Sequence, residues 1–190
     1  MPLLRPGDPL PRRPRRILVA GASGAGKTTL AARLGEALGI RHVEIDALFH
    51  GPGWVPRPSF VGDVEAFTAE DAWVTEWQYR LVRGLLGERA DVLAWLDLPR
   101  RTVLRQVTAR TVVRRLRREV LWNGNVEPPL RTILTDRDHV IRWAWRTHRS
   151  VEERVARLLE QRPDLPVYRL RSHREADLWF RRVVDDAQRD

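Results

Sequence analysis

The sequence contains no cysteine among its 190 residues. This absence excludes disulfides, thiolate metal sites and a thiol nucleophile at once. The sequence also lacks an apolar run of about 18 residues, the length that a membrane-spanning helix requires, so we expect no membrane partner. With neither feature, a cytoplasmic location is the default expectation.

Residues 1–15 contain five prolines but lack the apolar core that a signal peptide requires. This proline- and arginine-rich composition predicts a disordered leader. The remaining residues, 16–190, are enough for a single domain that buries a substantial core.

Lysine is almost absent, because Lys27 is the single lysine among 34 basic residues. So strong a bias is most simply a codon preference of the genome. The net charge of +9 is a feature of nucleic-acid-binding proteins. However, residues 100–118 hold eight arginines and no acid, which is nearly the whole excess. The lysine occupies a position where a compact ammonium differs most from a planar guanidinium.

Short apolar segments alternate with segments of helical periodicity along the chain. The predicted strands are 16–20, 42–46, 73–77, 91–98 and 167–170. The predicted helices run from the end of the 21–28 loop to about residue 38, over 59–71, 78–89, 100–121 and 136–161, and onward from 173. Such alternation predicts an α/β fold of three layers, with a parallel sheet and right-handed crossovers.

Residues 21–28 read GASGAGKT and match the phosphate-loop pattern G-x-x-x-x-G-K-[ST] at every fixed position. The glycines let successive N–H groups point at a phosphate, and the following helix adds the positive end of its dipole. Lys27 supplies a charge for the β- and γ-phosphates, and the Thr28 hydroxyl supplies a ligand for Mg²⁺. The predicted ATP-binding loop comprises Gly21, Ala22, Ser23, Gly24, Ala25, Gly26, Lys27, Thr28 and Thr29.

The sequence also argues against several classes of phosphate-loop protein. A GTPase reads guanine with an Asn-Lys-x-Asp box, which a chain whose only lysine is Lys27 cannot contain. Motor and transporter ATPases are generally larger and carry further signatures that do not occur here. Small size, an early phosphate loop and an arginine-rich later helix favour a kinase.

Five motifs extend this interpretation: GASGAGKTT at 21–29, IDALFHGPGW at 45–54, AWLDLPR at 94–100, WNGNVE at 122–127 and YRLRSHRE at 168–175. Together they resemble the adenylate-kinase-like P-loop proteins often labelled DNA topology modulation proteins. The resemblance implies a nucleoside-kinase-like core with sheet order 2-3-1-4-5. It also implies an arginine-bearing lid after the fourth strand, at about 100–135, and ATP as the donor. It leaves the acceptor open.

Carboxylates at the ends of two predicted strands are candidates for the metal site. Asp46 follows the second strand at the rim where open α/β sheets bind ligands. The resemblance implies that it holds Mg²⁺ water or orients an acceptor hydroxyl, and a helix or turn cap is the alternative. Glu76 ends the third strand and competes for the Mg²⁺ role, so the predicted metal set is Thr28, Asp46 and Glu76. For Asp97, at the end of the fourth strand, we favour a structural role.

The third strand is also where the chain departs from the resemblance. Where such proteins tend to have Asp-Gly-Asn-Tyr, this chain has Glu76-Trp77-Gln78-Tyr79. The large Trp77 indole replaces a small residue, which predicts a smaller or altered acceptor pocket. We expect Tyr79 and Arg80 to line that pocket.

Lid arginines are candidates to clamp the transferring phosphate, since guanidinium groups pair well with phosphate oxygens. The four candidates are Arg105, Arg110, Arg114 and Arg115. A solvated charged face is the alternative. Lys27, Arg110 and Arg114 form the predicted catalytic set. Arg171 and Ser172 lie where such folds usually hold adenine.

The sequence therefore predicts an ATP- and Mg²⁺-dependent phosphoryl-transfer enzyme that resembles nucleoside monophosphate kinases. The expected partner is a small phosphoryl acceptor, either a nucleotide or another metabolite. Two alternatives stay open: an ATP-binding regulator associated with nucleic acid, and a slow ATPase without a dedicated acceptor.

Overall fold

The computed structural model describes residues 3–129, 132, 140–148 and 150–189. Within them, five parallel strands form one sheet in the order β2-β3-β1-β4-β5. The strands are β1 Arg16–Gly21, β2 Arg41–Val43, β3 Trp73–Glu76, β4 Val92–Leu96 and β5 Val167–Leu170. The predicted fold class and strand order are confirmed.

Helices cover both faces of this sheet, since every residue of β3 and β4 is buried. They are α1 Lys27–Leu38, α2 Ile45–Phe49, α3 Phe60–Thr68, α4 Arg83–Arg89, α5 Arg100–Leu116, α6 Val140–Thr147, α7 Ser150–Gln161 and α8 His173–Arg189. Short 3₁₀ turns occur at Pro52–Trp54 and Trp122–Gly124. None of the helices in the described ranges is long and apolar enough to cross a membrane.

Three elements have boundaries that differ from the predicted ones. The second strand stops at Val43, and Asp46 lies in the first turn of α2 instead of at a strand end. The helix predicted over 78–89 begins only at Arg83, as α4, because Tyr79 has a left-handed backbone with φ of 59° that helix geometry excludes. For the same reason α5 ends before Arg118, whose φ is 48°. Parts of the predicted lid and of the 136–161 helix lie outside the described residues.

The leader differs from the disordered segment that its composition predicted, because residues 3–15 pack against the domain. Leu4 forms an isolated parallel bridge beside β5. Its N–H donates to the carbonyl of Val167 at 2.8 Å, and its own carbonyl accepts from the N–H of Arg169 at 3.0 Å. The leader leucines packed against the hydrophobic core are Leu3, Leu4 and Leu10. These leucines supply the apolar burial that the composition, dominated by proline and arginine, obscured.

We predict that deleting residues 2–10 lowers the free energy of unfolding by about 2 kcal/mol, since three partly buried leucines become unavailable. For a domain of this size the melting temperature should fall by about 4–8 °C, measured by thermal unfolding. Arg5→Ala, which removes an exposed side chain from the same segment, is the control and should have little effect. An unchanged melting temperature after the deletion would show that the leader does not stabilise the fold.

Candidate active site

The phosphate loop connects β1 to α1 and has the backbone of an anion cradle. Gly24 and Gly26 have φ of 86° and 92°, in the left-handed region that glycine enters without steric cost. A Cβ atom at Gly24 would lie 2.7 Å from the Cβ of Val107, so glycine here also lets α5 pack against the loop. A Cβ atom at Gly26 would meet no atom within 4 Å, so Gly26 is needed for its backbone angle alone.

Lys27 begins α1, and its side chain is buried at 9% exposure. Its ammonium donates to the carbonyl of Ala22 at 3.1 Å, inside the loop. Burial lowers the pKa of Lys27, while the negative charges of Asp46 and Glu76 oppose that shift. Among the described residues no carboxylate forms an ion pair with Lys27. A buried cation of this kind is ready to receive an anionic ligand.

Asp46 presents one carboxylate oxygen to the protein and leaves the other without a hydrogen-bond donor among the described residues. The side-chain amide of Gln78 and the hydroxyl of Tyr79 both donate to its Oδ1. The N-cap of α2 is Glu44, so Asp46 does not serve as that helix's cap. Its Oδ2 is the group that a metal-bound water or an acceptor hydroxyl would meet.

Glu76 occupies a different environment, because both of its oxygens are used inside the protein. Its carboxylate is 1% exposed and lies 3.2 Å from Nε2 of His42. Its second oxygen accepts from the N–H of Ile45 at 3.1 Å. Burial by itself would raise the pKa of Glu76, but the hydrogen bonds from His42 and Ile45 hold that pKa below its ordinary value. This arrangement opposes the predicted metal role and makes Glu76 the anchor of the β2–α2 connection.

The structure separates the four lid arginines. Arg110 is exposed overall, yet partial desolvation by the surrounding protein, together with Arg114, lowers the pKa of its guanidinium. Its charge also acts on both Lys27 and Asp46, which places it beside the cradle. Arg105 is likewise exposed on the same helix, but its charge is not among those that act most on Lys27. Of the four lid arginines, Arg110 is thus the one whose charge acts on Lys27, and its catalytic role stays a prediction.

The remaining two lid arginines hold the end of the lid together. Nε of Arg114 lies 3.5 Å from the carboxylate of Glu119, and its Nη1 lies 4.0 Å from that of Glu127. Arg115 donates to the main-chain carbonyl of Glu127 at 3.1 Å. These contacts give Arg114 and Arg115 a local structural role. The predicted catalytic role of Arg114 requires that it leave its two acidic neighbours.

Sequence reasoning missed two arginines with desolvated guanidinium groups, Arg83 and Arg154. Arg154 lies on α7, and its charge acts on Lys27. Burial lowers the pKa of Arg154 to about 10, and the nearby charges of Arg83 and Arg157 contribute to that shift. Nη1 of Arg83, at the start of α4, is buried without a hydrogen-bond partner among the described residues. In a sequence with so many arginines, no local signal distinguishes these two.

Helix α4 packs against α7 near these two arginines. A Cβ atom at Gly87 would lie only 2.6 Å from Cδ1 of Leu158, so the two helices touch at this point. Gly87 follows Arg83 by one helical turn, and Leu158 follows Arg154 by one turn. Both arginines therefore lie within one helical turn of the contact between α4 and α7.

The other predicted residues have varied environments. Ser172 and Glu175 cap the start of α8: the hydroxyl of Ser172 accepts from the N–H of Glu175 at 3.1 Å, and the Glu175 carboxylate accepts from the N–H of Arg171 at 2.8 Å. Adenine contacts by Arg171 and Ser172 stay a prediction. Arg80 is exposed beside the chain turn that carries Tyr79, and acceptor contacts by both residues also stay predictions.

Two further expectations concern strand ends. Asp97 accepts from Nε of Arg169 at 2.7 Å, as expected for a structural carboxylate. Trp77 is 7% exposed and belongs to the hydrophobic core. Its indole N–H donates to the carbonyl of Arg83 at 3.0 Å. The indole that departs from the resemblance therefore holds the 78–82 turn in place.

Mg²⁺ can be accommodated by few protein groups. Within the described part of the chain, no group of three or more His, Cys, Asp or Glu side chains could hold a metal ion. Mg²⁺ bound with a nucleotide usually keeps several waters and takes only one or two protein ligands, with phosphate oxygens completing its shell. The hydroxyl of Thr28 and the unbonded Oδ2 of Asp46 fit that requirement.

No family model and no curated protein sequence matches the chain. Among solved structures, a gluconokinase from Sinorhizobium meliloti is 18% identical over 94% of both chains, with a TM-score of 0.49. A sugar kinase from a Janibacter species is 19% identical over 90% of this chain and 92% of that one, with a TM-score of 0.49. A shikimate kinase from Acinetobacter baumannii is 19% identical over 77% and 93%, with a TM-score of 0.40. Likenesses this distant do not decide what the chain acts on.

We predict that Glu76→Gln lowers the free energy of unfolding by about 1–2 kcal/mol at pH 7, because charge-assisted hydrogen bonds from His42 and Ile45 are weakened. The folded-state pKa of Glu76 lies below the unfolded value of about 4.3. The carboxylate therefore stabilises the fold above that pH, and this contribution is lost as the pH falls through the folded-state pKa.

The measurement is denaturant unfolding of both proteins from pH 7 down to about pH 4, where the difference between them should begin to shrink. Glu70→Gln is the matched control, since Glu70 forms an exposed surface pair with Arg41 that should contribute little. A difference that stays constant with pH would contradict the assigned role of the Glu76 charge.

Proposed function

We propose that the protein is an ATP- and Mg²⁺-dependent phosphotransferase that acts on a small acceptor, either a nucleotide or another metabolite. The observation that carries the proposal is the state of Lys27, a buried ammonium at the start of the phosphate-loop helix without an ionic partner among the described residues. The charges that act on it come from Asp46, Arg110 and Arg154, besides the structural Glu76. These are the charges that a phosphoryl group in transfer would need around it.

On the donor side, the backbone N–H groups of the phosphate loop and the Lys27 ammonium bind the β- and γ-phosphates. Thr28 and Asp46 hold Mg²⁺, directly or through water. When bound, the ion neutralises charge that develops on the phosphate oxygens. Arg110 reaches the transferring group from the lid side. Catalysis of this kind depends on position and electrostatics, so no covalent nucleophile is required.

On the acceptor side, the uncompensated arginines favour an acceptor that carries an anionic group. Arg154 and Arg83 lose hydration where they lie, and their like charges repel each other. Neither forms an ion pair with a carboxylate among the described residues, and desolvated guanidinium groups without such a partner destabilise a folded protein. A phosphate or carboxylate on the acceptor would offset this cost through charge-assisted hydrogen bonds. We therefore assign Arg83 and Arg154 to the acceptor's anionic group.

The test is a screen of acceptors with Mg·ATP, in which nucleoside monophosphates and other phosphorylated or carboxylated metabolites are compared with neutral analogues. We expect anionic acceptors to be phosphorylated. Lys27→Ala and Lys27→Arg should both lose tight Mg·ATP binding or turnover without unfolding, because neither provides a compact ammonium in the cradle. Binding is measured by calorimetry and folding by circular dichroism.

Two results of this screen would contradict the proposal. If no acceptor is phosphorylated while ATP is hydrolysed slowly, the protein is an ATPase without a dedicated acceptor. Near-normal turnover in both Lys27 variants would show that the phosphate loop does not carry the chemistry.

A second prediction compares two arginines on α5. Arg110→Ala should lower kcat by about a hundredfold or more, since removing one group that stabilises transition-state charge typically costs that much. Arg105→Ala is the matched control on the same helix, and kcat should stay close to the unchanged value because the charges that act most on Lys27 do not include Arg105. Both values come from initial-rate kinetics.

The same pair distinguishes an enzyme from a nucleic-acid-associated regulator. In a nucleic-acid binder, each arginine should contribute modestly and evenly, and each replacement should reduce the salt dependence of binding by about one unit. Evenly small effects of Arg105→Ala and Arg110→Ala on turnover, together with sequence-specific DNA binding that resists salt, would favour the regulator.

A further inference from the structure

Three non-glycine residues with a left-handed backbone surround a single histidine, His50. They are Trp54, Tyr79 and Asn123, with φ of 63°, 59° and 55°. The Tyr79 hydroxyl lies 3.1 Å from Nε2 of His50, the Trp54 ring packs edge-on at 5.1 Å, and the Asn123 amide donates to the His50 carbonyl. Strained residues of this kind persist only where their surroundings hold them, and they gather at functional sites.

The hydrogen bonds from His50 run toward Asp46 in a defined direction. A carboxylate oxygen can only accept, so the Tyr79 hydroxyl donates its proton to Oδ1 of Asp46. A hydroxyl has only one proton, so toward His50 it must accept. His50 is thus the tautomer with its proton on Nε2. His50 holds the Tyr79 hydroxyl, and the hydroxyl holds Asp46.

His50 also lies where loop 121–126 of the predicted lid contacts loop 50–56. We define the clasp as the contact between loop 50–56 and loop 121–126. In the clasp, the His50 ring stacks on Trp122 with 5.9 Å between centroids and 19° between planes. Asn125, which is 5% exposed, donates to the carbonyl of Gly51 at 2.9 Å and accepts from the N–H of Trp54 at 3.0 Å.

We propose that His50 and Tyr79 are positioning residues that couple closure of the clasp to the orientation of Asp46. Docking of loop 121–126 fixes the His50 ring through Trp122 and its backbone through Asn123. The fixed ring holds the Tyr79 hydroxyl, which keeps Oδ1 of Asp46 engaged and turns Oδ2 toward the ligand. This inference rests on the proposed function, in which Asp46 serves the metal or the acceptor.

The first test removes each hydrogen bond separately. Tyr79→Phe should lower kcat by about tenfold to a hundredfold, the usual effect of losing a group that orients a ligand-binding side chain, with little change in the KM for ATP. Tyr168→Phe is the matched control, because Tyr168 is the other tyrosine of the chain and its hydroxyl bonds the leader at Pro9. It should leave kcat unchanged.

Two substitutions at His50 separate the ring from its N–H group. His50→Phe keeps a ring to stack on Trp122 but has no donor for Tyr79, so kcat should fall as it does for Tyr79→Phe. His50→Gln keeps an N–H donor and should retain activity within a few fold. If His50→Phe retains activity and His50→Gln loses it, the hydrogen-bonded link is wrong.

The second test does not depend on turnover. Asn125→Ala releases the clasp at loop 121–126, and hydrogen exchange should then accelerate both in that loop and in α2, which carries Asp46. Tyr79→Phe should accelerate exchange in loop 121–126 in return, because coupling between two sites is reciprocal. Exchange changes confined to the mutated loop would overturn the coupling.

The two tests also distinguish failure of this inference from failure of the proposed function. If hydrogen exchange changes together in loop 121–126 and α2 but no acceptor is phosphorylated, the coupling through the clasp stands and the proposed phosphotransferase activity is wrong. If the protein transfers phosphoryl groups and both Tyr79→Phe and His50→Phe keep kcat within about twofold of the unmodified protein, the proposed activity stands and the positioning role is wrong.

Discussion

The site depends on one constraint, which is that the Lys27 ammonium must be buried and yet have no carboxylate partner. Two carboxylates act on it: one oxygen of Asp46 is engaged by Gln78 and Tyr79, and both oxygens of Glu76 are engaged by its partners on and after β2. Within the described part of the chain, the ammonium bonds a loop carbonyl and no carboxylate. The charge that a strong ion pair would neutralise is preserved for a ligand, at the cost of desolvation.

The arginine excess can be interpreted only from the structural environment of each guanidinium group. On α5 alone, Arg105 is exposed, Arg110 acts on the cradle, and Arg114 and Arg115 hold the end of the lid. The arginines of one charge run thus have different environments, some exposed and others in structural contacts. The net charge of +9 therefore gives little information about a binding partner. The desolvation of Arg154 gives more, because it reflects a local excess of positive charge from Arg83 and Arg157.

Backbone strain and aromatic packing are concentrated near the clasp, where loop 50–56 meets loop 121–126. Phe49 stacks on Tyr79 with 4.0 Å between ring centroids, which helps to hold Tyr79 in its left-handed backbone. The bond from Tyr79 to Asp46 depends on that conformation, since it sets the direction of the side chain. Local strain at this point is compatible with a stable fold because the surrounding contacts outweigh it.

The sequence alone determined the features that depend on local pattern. The glycine spacing and Lys27 identify the phosphate loop, and the alternation of apolar runs with helical segments predicts the parallel sheet. Other features were decided by tertiary packing. Glu76 and Asp46 are both carboxylates beside strand ends, and only the placement of their donors makes one an anchor and leaves the other an open oxygen. Arg83 and Arg154 are 71 positions apart in the sequence, and only the contact between α4 and α7 brings their helices together. Local periodicity carries no information on contacts across such separations, which is the physical reason why the loop was predictable and its surroundings were not.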